Sequence, residues 1–187
     1  METLLGLIVG IGLSAACGFR VFVPLLGISI AAMTGHIALS PGFEWIGTPS
    51  ALIAFVAATI LEIGAYYIPW VDNIMDSIST PAAIIAGTIV TASMVGEITP
   101  FLKWSLAIIA GGGVAGIVQG GTVALRGASS TTTGGFGNFL VSTGELIGSI
   151  LITILAIVFP LLCLFIVGWI CYNIARMTAK LVKKVFA

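Results

Sequence analysis

Charge is what this chain has least of. Seven basic and seven acidic residues make up 7% of 187 positions, where a soluble domain carries roughly 25%. A water-facing surface cannot be built from so few ions, which excludes a soluble globule. The formal net charge is zero and no basic cluster suited to nucleic acid is present, so no nucleic-acid partner is expected. Histidine occurs once, at His36, and Cys17, Cys163 and Cys171 show no CxxC spacing. That excludes a His/Cys metal cluster and leaves the thiols as buried structural residues. Gly-Lys-Ser/Thr is absent, and no nucleophile–base pair is evident, so neither an enzyme nor a cofactor is expected. The first residues hold Glu2 and no Lys or Arg. Although Leu13-Ser14-Ala15-Ala16-Cys17 has some likeness to a lipoprotein cleavage site, the positive segment of a signal peptide is missing, so a permanent helix is expected.

Hydrophobic residues fill 59% of the chain, and its mean hydropathy is +1.22. A span needs about 20 apolar residues. Apolar blocks run over 3–33, 51–70, 81–96, 104–125, 139–158 and 161–175, separated by Pro- and Gly-containing breakers. The runs are continuous, without the alternation of a membrane barrel strand. An all-α membrane protein follows, with one domain over 1–187 and about six transmembrane helices. The block 3–33 is too long for one simple span and is interrupted by Gly18-Phe19-Arg20 and Pro24, so it is a broken helix or a re-entrant hairpin. The run 139–175 around Pro160 is either two spans or a re-entrant piece plus one span.

Arg176, Lys180, Lys183 and Lys184 put four of the seven basic residues in the tail 176–187. The positive-inside rule assigns that end to the cytoplasm, and the apolar positions among them predict a helix lying on the membrane surface. Six crossings would put both termini inside, with loop 34–50 outside and loops 69–80 and 126–138 inside. Gly6, Gly10, Ser14 and Gly18 repeat every fourth position, as do Gly112, Gly116 and Gly120. Each row makes a flat face for close helix packing. The rows are either ordinary packing or the trace of an inverted 3+3 repeat with halves 1–98 and 101–175.

Ionisable residues inside lipid default to functional candidates. Arg20, Glu62, Asp72, Asp76 and Glu145 qualify. Glu62 lies mid-block with Tyr66 one turn on. It either pairs with Arg20 to fix helix positions or serves a polar path. The segment 69–81 reads as a short amphipathic helix with Val71, Ile74, Met75 and Ile78 on one face. Asp72 and Asp76 on the other are either a solvated face or weak candidates for a hard cation. Glu44, Glu97 and His36 read as interfacial loop residues. The stretch Arg126–Asn138 is rich in Gly, Ser and Thr. Thr132, Thr133, Gly134, Gly135 and Asn138 could coordinate an ion or polar headgroup there, or the stretch could be a simple connector.

Ala16–Pro24, Leu39–Trp45, Glu62–Asn73 and Thr132–Asn138 together make the chain similar, over nearly its full length, to an uncharacterised bacterial and cyanobacterial integral membrane family, a domain of unknown function. The resemblance implies a bacterial inner or thylakoid-type membrane and no particular activity. The expected function is a small channel or transporter for an ion or small polar solute, oligomeric because so small a bundle encloses little interior. The alternative is a non-transporting structural or lipid-interacting membrane protein.

Overall fold

The computed structural model describes residues 2–68 and 71–185, which fold into helices with no strand among them. Helix α1 is Glu2–Phe19, α2 is Phe22–Met33, α3 is Pro49–Tyr66 and α4 is Val71–Met94. An unbroken rod of 34 residues, Pro100–Thr133, follows. It comprises α5 (Pro100–Leu106), a π-helical turn (Ala107–Gly112) and α6 (Gly113–Thr133). Helices α7 (Asn138–Val158) and α8 (Pro160–Val185) close the bundle. Five elements are long and apolar enough to cross a membrane: α3, most of α4, the rod, α7 and α8. Ile53, Leu61, Ile109, Phe165 and Trp169 face outward, while charged and hydroxyl side chains are buried. That polarity suits lipid outside and polar groups satisfied within. The chain is an integral membrane protein.

The first apolar block forms a helical hairpin. Pro24 has no N–H for the Arg20 carbonyl four residues back, and its ring crowds that carbonyl, so α1 stops at Phe19. Helix α1 runs antiparallel to α7: Arg20 meets Ser142, Ala16 meets Ser149, and Gly12 meets Ala156. Helix α2 then climbs the other way, with Gly27 against Thr153. The chain after α2 regains the level where α1 began. There the Ser40 amide donates to Ser93 O at 2.8 Å, Lys103 Nζ donates to Ser40 Oγ, and Gly96 lies against Thr3. The hairpin tip at Arg20–Val21 therefore ends inside the bundle, about two helical turns short of the α6–α7 connection.

The expected six or so helices, some broken or re-entrant, take the form of five long apolar helices and a hairpin of two shorter ones. The N-terminus, the 34–48 segment, the 95–99 loop and the Phe159 turn share one end of the bundle. The α3–α4 connection, the α6–α7 turn and the end of α8 share the other. The first apolar block thus returns to the end of the bundle where it began. The run 139–175 is two spans meeting at Pro160. The two halves open differently, on a hairpin in 1–98 and on an unbroken rod in 101–175.

Three segments differ from expectation. The stretch 71–80 is the start of α4, and its Ile74 and Ile78 face outward while Asp72 and Asp76 are buried. Lipid reverses the polarity rule of a soluble amphipathic helix; Pro69 and Trp70 lie outside the described residues. The stretch 126–138 is largely helical, because α6 continues to Thr133. Thr132 and Thr133 donate their hydroxyls to Ala128 O and Ser129 O at 2.8 and 2.7 Å, and only Gly134 and Gly135 take positive φ. The tail 176–185 continues α8 in line; the side chains from Lys180 onward, and residues 186–187, lie outside the described residues.

The small-residue row of α1 packs on α4 and α6. A Cβ at Gly10 would lie 2.9 Å from Thr91 Cα, and one at Gly18 would lie 2.6 Å from Ala115 O. Ser14 Oγ donates to Gly87 O at 2.7 Å. Another close crossing joins α4 to the π-helical turn, where a Cβ at Gly111 would lie 2.5 Å from Gly87 O. Along the second row, Gly112 and Gly116 face Ile84 of α4, whereas Gly120 has open space beside it. Gly111→Leu and Gly87→Leu should therefore lower stability by about 1–3 kcal/mol or more, while Gly120→Leu leaves it unchanged. Thermal unfolding of the detergent-purified variants measures both.

Candidate functional site

The hairpin tip exposes backbone amides that no upstream carbonyl can use. Val21, the residue before α2, provides no side-chain cap. A carboxylate from α3 takes that place: Val21 N donates to Glu62 Oε1 at 2.7 Å and Phe22 N to Oε2 at 3.1 Å. Glu62 thus caps a helix N-terminus buried in the bundle, a favourable position for a negative charge. No nitrogen of Arg20 lies within ion-pair distance of it; Arg20 pairs with Glu145 at 3.3 Å and donates to Ser142 O at 2.9 Å.

A second arginine completes the cluster. Arg126 of α6 donates to Asp76 Oδ1 at 2.6 Å and to Glu145 Oε2, the oxygen that Arg20 also contacts. Arg20 and Arg126 are each 1% exposed. Their guanidinium carbons lie 3.9 and 4.2 Å from the centroid of the Tyr66 ring, within cation–π range. The Tyr66 hydroxyl donates to Ser79 Oγ at 2.9 Å, with Asp76 Oδ1 at 3.4 Å. One turn nearer the bundle end, Asn138 Nδ2 donates to Asp72 Oδ2 at 2.7 Å and to Ser130 Oγ at 2.9 Å.

Two arginines and four carboxylates thus meet in the buried interior, with both cations against the Tyr66 ring. Arg20 Nε and Nη1, Arg126 Nε, Glu145 Oε1 and Asn138 Oδ1 are buried without a protein partner. Nearly all buried polar groups in native proteins are hydrogen-bonded, so these atoms mark places for water or a polar solute. A crevice of about 320 Å³, lined by Asp76, Ser77, Thr80, Val123 and Gly127, reaches the cluster between α4 and α6. Pro81, inside α4, withholds the helical N–H from the Ser77 carbonyl.

Of the residues expected from sequence, Arg20, Glu62, Tyr66, Asp72, Asp76, Asn138 and Glu145 come together here. Thr132, Thr133 and Gly134 are exposed at the bundle end, and Gly135 is half-buried there. They stand apart because α6 continues through the threonines. Asn138 engages Asp72 and Arg126 engages Asp76; no group of three metal-ligating side chains occurs among the described residues. Glu44, Glu97 and His36 are exposed near the opposite end. Arg126, Ser79, Ser130 and Ser142 escaped the sequence reading. Arg126 had one signal, a lone cation at the edge of an apolar block, but the Gly/Ser/Thr run after it disguised a helix as a loop.

These features define a helical membrane protein with a re-entrant hairpin whose tip is set in a buried charge cluster. Residues 7–180 match the family model described as a domain of unknown function, DUF4126, and the chain belongs to that family. No curated protein and no solved structure matches it. Removing one member of a buried ion network costs about 3–5 kcal/mol, because the partners stay buried and uncompensated. Arg126→Gln should therefore lower the melting temperature sharply, whereas Arg176→Gln, at an exposed position, should leave it unchanged.

Proposed function

We propose that this protein carries a small ion or small polar solute across the membrane, as a channel or transporter, through the charge cluster at the hairpin tip. The observation that carries this reading is the cluster itself: six charged side chains buried inside the bundle toward one of its ends, with polar atoms left for a further partner and a crevice leading to Asp76. Charged groups in a membrane interior are costly and gather where a polar species must pass. Broken helices, whose ends expose unpaired backbone groups, commonly build such sites. The expected homo-oligomer belongs to the same proposal.

The basic tail assigns the end bearing the α6–α7 turn to the cytoplasm, and the N-terminus and the 34–48 segment to the outside. A second reading, a non-transporting structural or lipid-interacting protein, is favoured by the way Arg126 ties α4, α6 and α7 together.

Flux into vesicles containing the purified protein separates the two. Sodium, potassium, chloride and protons are the first probes, and Asp76→Asn should change the rate of whichever is carried. A folded parent that passes none of these ions, nor small neutral polar solutes, supports the structural reading. Thr48→Cys should label from outside and Ser129→Cys from the cytoplasmic side; the reverse pattern would overturn the orientation.

A further inference from the structure

Glu62 stands apart from the other charges in the cluster. Asp76 and Glu145 share Arg126, and Glu145 also holds Arg20, whereas Glu62 is 3% exposed with both oxygens bound only by the amides of Val21 and Phe22. The ionisable groups around it are Arg20 and the Cys17 thiol on the hairpin, Tyr66 on α3, Asp72 and Asp76 on α4, Arg126 on α6 and Glu145 on α7. The ion pairs of both guanidiniums go to Glu145 and Asp76, so a proton is the simplest species that can neutralise Glu62 where it stands.

Resting on the transport reading above, we infer that Glu62 is the binding site of a coupling proton, and that its protonation unlatches the hairpin tip from α3. The carboxylate holds the tip through two charge-assisted hydrogen bonds to residues 41 and 40 positions away in sequence. A proton from water converts it to a neutral acid whose own O–H is a donor, which weakens its hold on the two amides and on the positive end of α2. No local side chain replaces it. The tip also carries Arg20, which contacts Glu145 and the Ser142 carbonyl. Its release therefore alters the arginine–carboxylate cluster proposed to meet the solute. Acid favours the released tip, and neutral or higher pH favours the latched one.

Hydrogen exchange at the Val21 and Phe22 amides of the purified protein in lipid vesicles tests this, with rates corrected for the intrinsic pH dependence of exchange. Protection in the parent should fall about tenfold or more on acidification, the change expected from losing one hydrogen bond to a charged group. In Glu62→Gln, protection should be low already at neutral pH and insensitive to pH. Glu44→Gln, exposed at the far end, should behave like the parent. A pH-difference infrared spectrum of the parent should show a carboxylic-acid band that Glu62→Gln lacks. The inference is overturned by a folded parent whose tip protection is the same at both pH values, a result that needs no variant to fold. It is equally overturned by a pH response that survives in Glu62→Gln. A responsive tip in a protein that passes no solute supports the proton site and refutes transport; pH-independent flux with a static tip does the opposite.

Discussion

Two backbone amides facing a carboxylate govern much of this architecture. Within a bilayer no water is at hand to satisfy the free N–H groups at a helix start, yet Pro24 forces such a start deep inside the bundle. Glu62 meets the need from another helix. That brings α3 against the hairpin tip and sets Tyr66, one turn further along, beneath Arg20. The arginine requires a counter-charge, which Glu145 supplies, and Glu145 in turn brings in Arg126 and Asp76. A single proline thus leads, through successive demands for polar partners, to the meeting of helices from both halves of the chain.

The rest of the structure allows that meeting by letting backbones come close. Ser14 Oγ lies 2.8 Å from Thr91 Oγ1, and the hydroxyl of Ser149 donates to Ala16 O at 3.0 Å. Such contacts need small side chains, and the glycines of α1, α4 and the π-helical turn provide the room. In lipid, where apolar burial between helices drives little, this close packing and the hydrogen bonds it permits hold the helices together.

The class of protein, the helical blocks and most members of the cluster were legible in the sequence, because charged residues inside apolar runs are conspicuous. The break at Arg20–Pro24 was legible too, but not which way the chain turned after it. That depends on whether α2 finds its partners above or below the tip, a tertiary matter settled by contacts such as Gly27 with Thr153. The 126–138 stretch misled because Gly, Ser and Thr favour loops in water, whereas here the hydroxyls bond back to helical carbonyls. For Glu62 the sequence offers a pairing with Arg20 or a place on a polar path; the groups it meets are backbone amides, which every residue has and no sequence pattern marks.

Synthesis runs from the N-terminus, yet α1 is enclosed by α4, α6, α7 and α8, all made after it. Arg20 leaves the ribosome long before Glu145 exists to pair with it, and the tip amides wait some forty residues for Glu62. The hairpin therefore cannot settle as an independent unit on emergence. Its tip completes its polar contacts only once α3 and α7 have been made.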